Sequence, residues 1–177
     1  VKYITLYAFS TENWARPKLE VSALMKLLSK TLDKFLKENN PDVKIIFSGR
    51  RDPLPADILR KMDKADAEAK PNHKLVLNLA LNYGSRQEIA DAATKLLSSG
   101  KKEIKPEDIS AALYNNLPEP DLIVRTSGEQ RLSNFLLWQA AYSEFYFTPV
   151  LWPDFKEEEF NKALEEYSKR NRRFGGR

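Results

Sequence analysis

Short apolar segments alternate with longer amphipathic helices along this chain. The segments Val1–Phe9, Val43–Phe47 and Lys74–Leu81 are rich in β-branched and other apolar residues, which predicts buried strands. Apolar residues at helical spacing separate them, as over Val21–Glu38. Near-continuous apolar strands divided by helices of ten or more residues are typical of a parallel sheet covered on both faces. We therefore expect an α/β fold with a mainly parallel central sheet covered by helices.

The rest of the chain continues this alternation. The run Leu132–Ala141 is apolar nearly all round and predicts a buried helix. A length of 177 residues is that of one domain, so we expect residues 1–177 to form a single domain. Periodicity predicts further helices at Pro55–Lys70, Ser85–Ser98, Pro106–Tyr114 and Glu157–Arg170, and strands at Leu122–Val124 and Phe145–Phe147.

The residue types that the chain lacks exclude several kinds of site. It has no cysteine and one histidine, His73, which excludes disulfides, thiolate sites, cysteine nucleophiles and multi-histidine metal centres. Its six glycines form neither a Gly-x-Gly-x-x-Gly nor a Gly-Lys-Ser/Thr loop, so dinucleotide and P-loop sites are disfavoured. The net charge of +4 indicates only a weak preference for anionic partners. Any metal must therefore be held by oxygen ligands.

The first polar segment of interest directly follows the first predicted strand. Ser10, Thr11, Glu12, Asn13, Trp14 and Arg16 place hydroxyl, carboxylate, amide, indole and guanidinium groups within seven residues. Ligands in open α/β sheets gather beyond the carboxyl ends of the strands, which favours a binding role. The alternative is a capped local turn in which the indole packs as core.

The second segment, 125–133, follows the strand at Leu122–Val124 and leads into the predicted helix. Arg125 and Arg131 with a serine hydroxyl of the segment would form a clamp for a diphosphate at the amino terminus of that helix, where free N–H groups favour anions. The alternative is that the two arginines form structural ion pairs with Glu129 or Asp121. Both interpretations stay open at this point.

The third feature is Glu144, a carboxylate that lies among aromatic residues. Burying a carboxylate is costly unless it is paired or binds a cation. Because the chain offers no cluster of nitrogen or sulfur ligands, an oxygen-liganded ion such as Mg²⁺ is the candidate. The alternative is that Glu144 is the structural partner of a buried arginine.

Four segments carry a resemblance to a known family. They are Ser-Thr-Glu-Asn-Trp-x-Arg-Pro at 10–17, Asn-Tyr-Gly-Ser-Arg at 82–86, the block Asp121–Gln139 followed by Glu144, and Arg-Arg-Phe-Gly-Gly-Arg at 172–177. Together they resemble the cis-prenyltransferase family, most closely the bacterial undecaprenyl diphosphate synthases, along the whole chain. The block from Arg125 to Glu144 is the most specific of the four.

The resemblance implies a parallel sheet of about six strands ringed by helices, a homodimer, and a Mg²⁺-dependent transferase of isoprenoid biosynthesis. Such enzymes condense isopentenyl diphosphate repeatedly with an allylic diphosphate, here expected to be farnesyl diphosphate. The product would be a long-chain polyprenyl diphosphate such as undecaprenyl diphosphate, a lipid precursor of the cell wall. A cytoplasmic location is implied, and the lipid product could bring the protein to the inner face of the plasma membrane.

Carried over by position, the resemblance assigns site residues. Arg125, Arg131, Leu132 and Ser133 would bind isopentenyl diphosphate, and Glu144 would be a Mg²⁺ ligand. The reacting centre would be lined by Ser10, Thr11, Glu12, Trp14 and Arg16, with Glu12, Asn13 and Trp14 as the catalytic residues. Because a neutral amide is a poor base, we expect Asn13 to position groups rather than accept the proton. The walls of an apolar tunnel for the growing chain would be the helix Val21–Phe35 and the strand Leu75–Leu81.

The chain departs from the family pattern in three places. The family's Asp-Gly-Asn loop, which binds the allylic diphosphate and Mg²⁺, is absent from these 177 residues, so we expect the chain by itself to be inactive. Ser85 replaces the second glycine of a more usual pair, and Arg50 follows Gly49 where an acidic residue is common.

Two alternatives to an active prenyltransferase stay open. The first is a non-catalytic partner subunit of a prenyltransferase, and the second is a basic domain that binds phosphate or nucleic acid. We expect no nucleic-acid partner, because the aromatic residues lie at apolar-periodic positions.

Overall fold

A computed structural model describes residues 1–68 and 70–170 of the chain. In these residues the strands are β1 (Tyr3–Ser10), β2 (Val43–Ser48), β3 (Leu75–Tyr83), β4 (Leu122–Arg125) and β5 (Glu144–Phe147). The helices are α1 (Lys18–Glu38), α2 (Ala56–Ala67), α3 (Ser85–Ser98), α4 (Pro106–Ala112) and α5 (Glu157–Ser168). The alternating order confirms the α/β class, and most predicted elements have the expected type and place.

The strands form two parallel sheets. One has the order β1-β3-β2, with Leu6 and Phe47 both opposite Leu79, and the other pairs β4 with β5. Parallel pairing places the carboxyl ends of β1 and β3 side by side, where Ser10 lies opposite Tyr83. This common edge is the expected location of a ligand.

The main hydrophobic core lies between the three-stranded sheet and the helices α1 and α2. Its buried side chains are Phe9, Met25, Leu32, Leu54, Ile58, Met62, Leu79 and Leu81. The proposed tunnel walls therefore contact each other as ordinary core: Leu32 and Leu81 are only 2% and 1% exposed. Whether this core also accommodates a growing chain stays a prediction.

The predicted buried helix at Leu132–Ala141 is wrong. The segment is a series of turns in which Ser133, Asn134 and Leu136 have φ angles of 50°, 63° and 47°. A residue in the left-handed conformation interrupts a right-handed helix. The left-handed conformation itself costs about 1–2 kcal/mol per residue. The apolar side chains are nevertheless used: Phe135 stacks on Tyr7 with ring centroids 4.6 Å apart, and Leu136 is buried in the same cluster.

Candidate active site

A pocket of about 240 Å³ lies between the turn after β1, the first turn of α3 and the loop that replaces the predicted helix. Its lining residues are Glu12, Arg86, Leu132, Ser133, Asn134 and Leu137. The structure thus brings together Glu12, Leu132 and Ser133, which come from distant parts of the sequence. Arg86 and Asn134 were not among the predicted site residues.

The turn after β1 is a short 3₁₀ segment, Thr11–Ala15, held by its own side chains. The backbone N–H of Ser10 donates to Asn13 Oδ1 over 2.9 Å, and Thr11 Oγ1 donates to Glu12 Oε2 over 2.9 Å. Because the amide oxygen of Asn13 is already engaged, the geometry supports a positioning role for this residue. The capped-turn interpretation is therefore confirmed, and it is compatible with a binding role.

Trp14 packs inward and is held by an asparagine on β3. Its ring meets that of Phe9 edge to face at 4.9 Å, and its Nε1–H donates to Asn82 Oδ1 over 2.8 Å. Asn82 is buried with a φ of 47°, and its Nδ2 donates to the carbonyls of Arg50 and Asp52 at 3.0 and 2.7 Å. One buried side chain therefore fixes both the Trp14 turn and the loop after β2.

The carboxylate of Glu12 is held through both oxygens. Asn134 Nδ2 donates to Oε1 over 2.8 Å, while Thr11 holds Oε2. Partial burial by itself raises the pKa of this carboxyl, but the hydrogen bonds from Asn134, from backbone N–H and from the Thr11 and Ser10 hydroxyls outweigh it, and the pKa is lowered. Glu12 is therefore an oriented anion at the wall of the pocket.

Tyr7 lies beneath this turn. Its hydroxyl donates to the carbonyls of Tyr83 and Ser133 at 3.2 and 3.4 Å. Burial and then the negative charge of Glu12 raise the pKa of Tyr7 to about 12, while Arg125 opposes the shift. Tyr7 therefore stays protonated near neutral pH and acts as a donor that ties β1 to the loop.

The arginines of the described residues differ in whether a carboxylate neutralises them. Arg86 and Arg125 have no such partner within residues 1–68 and 70–170. Arg125 is half-buried at the carboxyl end of β4, and Arg86 lines the pocket. The others form ion pairs: Arg16–Glu20, Arg50–Asp91, Arg51–Asp63, Arg60–Asp57, Arg131–Glu129 and Arg170–Glu144.

The two arginines of the predicted diphosphate clamp, Arg125 and Arg131, therefore differ in their partners. Arg131 forms the structural ion pair with Glu129 that was the alternative, whereas Arg125 does not. The helix amino terminus expected to bind an anion beside them does not exist. Instead, the N–H groups of Ser127 and Gly128 donate to the carbonyls of Val150 and Thr148 at 2.8 and 2.9 Å. The backbone N–H groups of Ser127 and Gly128 are therefore not free to bind an anion at this loop.

The departure at Gly49 has a structural counterpart. A Cβ at this position, where φ is 129°, would lie 1.8 Å from the carbonyl oxygen of Leu81, so glycine is required. Arg50 binds Asp91 on α3 through Nε and Nη2, at 2.8 and 2.5 Å. The hydrogen bond from Arg50 is the main reason that the pKa of Asp91 falls to about 2. In this chain the loop after β2 is therefore joined to α3 by an ion pair.

Glu144 is the first residue of β5, so it lies at the amino end of that strand and away from the carboxyl end of β4 that holds Arg125. It begins β5 opposite Leu122, whereas Arg125 ends β4 opposite Phe147, an offset of about 10 Å along the strands. Its Oε2 accepts a hydrogen bond from Arg170 Nη1 over 2.7 Å, and that arginine is exposed rather than buried.

Glu144 can provide part of a Mg²⁺ site but not the whole of it. Within the described residues, no three acidic or histidine side chains converge as metal ligands. Oε1 of Glu144 is not used by Arg170, and Mg²⁺ is commonly bound by one or two carboxylates together with water and substrate phosphates. Glu144 can therefore supply one oxygen, and the other ligands must come from elsewhere.

The structure does not describe the last of the four segments that carry the resemblance. The closing Arg-Arg-Phe-Gly-Gly-Arg segment, 172–177, lies outside the described residues. Among residues 1–68 and 70–170, no helix is both long and apolar enough to cross a bilayer.

Comparison with known proteins identifies relatives over almost the entire chain. A family model described as putative undecaprenyl diphosphate synthase matches residues 1–175. The isoprenyl transferase of Fusobacterium nucleatum is 55% identical over 178 residues, covering 99% of this chain and 77% of that protein. The isoprenyl transferase of Bacillus subtilis is 52% identical over 186 residues, covering 99% and 71%.

Solved structures agree with the sequence relatives. Lavandulyl diphosphate synthase from Lavandula x intermedia, in complex with dimethylallyl diphosphate, superposes with a TM-score of 0.92 at 35% identity, covering 99% of this chain and 79% of that one. A probable undecaprenyl diphosphate synthase from Campylobacter jejuni gives a TM-score of 0.90 at 37% identity, covering 99% and 84%.

Proposed function

Since the chain belongs to the undecaprenyl diphosphate synthase family of isoprenyl transferases, we propose that it performs Mg²⁺-dependent cis-prenyl transfer. The substrates would be isopentenyl diphosphate and an allylic diphosphate, for which we propose farnesyl diphosphate. Repeated condensation would give a long-chain product such as undecaprenyl diphosphate, a lipid precursor of the cell wall.

The single observation that carries the proposal is the guanidinium of Arg125. It is half-buried at the carboxyl end of a parallel strand and has no carboxylate partner among the described residues. An unpaired, partly buried cation is costly unless a ligand anion completes it. A diphosphate is such a ligand, and guanidinium binds phosphate oxygens through two parallel hydrogen bonds.

The chemistry assigns tasks to the neighbouring side chains. In each condensation a carbon–carbon bond forms between the two substrates, the allylic carbon–oxygen bond breaks with loss of diphosphate, and a proton leaves the isopentenyl unit. Arg125, Arg131 and Ser133 would bind isopentenyl diphosphate, with Leu132 against its apolar part. Mg²⁺ would neutralise charge that develops on the leaving diphosphate. Glu144 would contribute one oxygen to its coordination.

The turn after β1 would line the reacting centre. Ser10, Thr11, Glu12, Trp14 and Arg16 are proposed there, and Glu12 and Trp14 are held in fixed orientations by Asn134 and Asn82. The proton acceptor is proposed to be the departing diphosphate or a water molecule, because Asn13 is a neutral amide that is already hydrogen-bonded. We further propose a homodimer in the cytoplasm that contacts the inner face of the plasma membrane through its product.

The test is incorporation of labelled isopentenyl diphosphate into extractable lipid. We would assay the protein with farnesyl diphosphate, with and without Mg²⁺. We expect label in long-chain product only when Mg²⁺ is present. If the protein binds diphosphate but incorporates no label at any Mg²⁺ concentration, the non-catalytic partner subunit becomes the better interpretation.

A further inference from the structure

Asn134 connects its own loop to two other elements, α3 and the turn after β1, through one side chain and one carbonyl. Its Oδ1 accepts the N–H of Arg86 over 2.9 Å, and its carbonyl oxygen accepts the N–H of Ser85 over 2.8 Å. Its Nδ2 donates to Glu12 Oε1, 122 positions away in sequence. The amide orientation is therefore determined, since reversing it would face a donor with a donor and an acceptor with an acceptor.

The surroundings leave this side chain little freedom. A Cβ at Gly84 would lie 2.7 Å from Asn134 Nδ2 and 2.7 Å from Thr11 Oγ1, the two groups that hold the Glu12 carboxylate. Asn134 also has a φ of 63°, a conformation that asparagine tolerates better than most residues. Glycine at 84 and asparagine at 134 therefore make the close approach feasible.

The same contacts organise the pocket. Glu12 and Asn134 both line it, and Arg86 lines it with a guanidinium that no described carboxylate neutralises. Asn134 thus joins an anionic side chain to the first turn of the helix that carries the cationic Arg86. Its two amide atoms bind the Glu12 carboxylate and the backbone N–H of Arg86, so the position of the carboxylate is tied to α3.

We propose that Asn134 is a positioning residue that holds the Glu12 carboxylate in one orientation against the first turn of α3, at the wall of the substrate pocket. This inference rests on the proposed function for the meaning of the pocket. The contact itself can be tested independently. The competing interpretation is that Asn134 only caps α3 and that Glu12 is indifferent to it.

The first test uses Asn134→Gly, because glycine keeps the left-handed backbone and removes only the amide. We expect the pKa of the Glu12 carboxyl, followed by NMR, to rise when the donor is lost. Arg86 on α3 and Tyr7 on β1, the other charged or titratable groups facing Glu12, remain in place. In the full-length enzyme, kcat/KM should fall by roughly tenfold, the weight of a hydrogen bond to a charged group. Asn39→Gly, at an exposed left-handed asparagine at the end of α1 with a φ of 38°, is the matched control and should change neither value.

The second test exchanges the two groups. Asn134→Asp alone brings two carboxylates into contact and should lower the melting temperature at neutral pH. Adding Glu12→Gln restores the hydrogen bond in the reverse direction, because the glutamine amide at position 12 can donate to the aspartate carboxylate at position 134. The melting temperature should therefore recover while kcat/KM stays low. The proposal is overturned if Asn134→Gly leaves the Glu12 titration unchanged, or if the double variant is no more stable than Asn134→Asp. Absence of prenyl transfer in the unmodified enzyme would instead contradict the proposed function, because the titration and the exchange need no turnover.

Discussion

Arg170 Nη1 lies 2.7 Å from Oε2 of Glu144, so the proposed Mg²⁺ ligand is also half of an ion pair between α5's carboxyl end and the start of β5. Both side chains are about a third exposed, at 37% and 30%. An exposed pair of this kind contributes only about 0–1 kcal/mol to stability. Loss of the pair and loss of a metal ligand should therefore have separable effects.

The first prediction compares Glu144→Gln with Arg170→Gln. Both remove the ion pair, but only the first removes the carboxylate charge. We expect similar, small changes in melting temperature without metal, and a higher Mg²⁺ requirement with lower kcat only for Glu144→Gln. A Mg²⁺ titration of activity and a thermal melt provide the measurements. Equal Mg²⁺ dependence of the two variants would move Glu144 from the metal site to the structural residues.

The second prediction concerns Arg125→Gln. Because the guanidinium has no described carboxylate partner, its removal leaves no orphaned acid, and the fold should keep its stability. The KM for isopentenyl diphosphate should rise by about tenfold or more, and far more than the KM for the allylic substrate. Arg60→Gln, on the exposed face of α2, serves as the control in the same steady-state assay. An unchanged KM for isopentenyl diphosphate would refute the assignment.

The third prediction concerns the indole of Trp14. Trp14→Phe keeps an aromatic ring against Phe9 but leaves the buried Asn82 Oδ1 without its donor, at a cost of about 1–3 kcal/mol. Trp138→Phe is the matched control, because the Ser110 hydroxyl that it would leave is exposed and can bind water. Urea denaturation should therefore show a clearly larger loss for Trp14→Phe. Equal losses would mean that the indole hydrogen bond adds little.

The fourth prediction is a pH dependence. Arg50 lowers the pKa of Asp91 to about 2 from an ordinary value of 3.8. A lowered pKa in the folded state gives stability that is present above the ordinary value and lost as pH falls through about 2. The free energy of unfolding should therefore decline between about pH 4 and pH 2 more steeply in the natural protein than in Asp91→Asn. Parallel pH profiles for the two proteins would contradict this linkage.

The alternation of elements could be predicted because burial leaves a direct pattern in the sequence. The helix α3 has the bounds that its periodicity indicates, and α1 begins only three residues before the predicted Val21. The segment Leu132–Ala141 could not be predicted, because a continuous apolar run is the same for a buried helix and a buried loop. Its left-handed residues depend on contacts with β1 and α3.

The site was predictable in its residue types more than in its geometry. Polar segments after strands identified Glu12, Arg125 and Ser133, since the carboxyl edge of a parallel sheet collects such residues. Asn134 lies within the block Asp121–Gln139 that carries the family resemblance, but its role could not be predicted, since its partners lie on elements far away in sequence. The ion pair between Glu144 and Arg170 could not be predicted, because it joins residues 26 positions apart in different parts of the fold.

The pairing of the arginines also affects the electrostatic potential that an approaching anion experiences. The net charge of +4 and the isoelectric point of about 9.1 describe a basic molecule. Most of its described guanidinium charge is nevertheless cancelled within a few ångströms, and such local dipoles contribute little potential beyond a Debye length of about 8 Å. Arg86 and Arg125 are not cancelled in this way. Among the arginines of the described residues, these two guanidinium groups are therefore the ones whose charge remains available to attract a diphosphate before it binds.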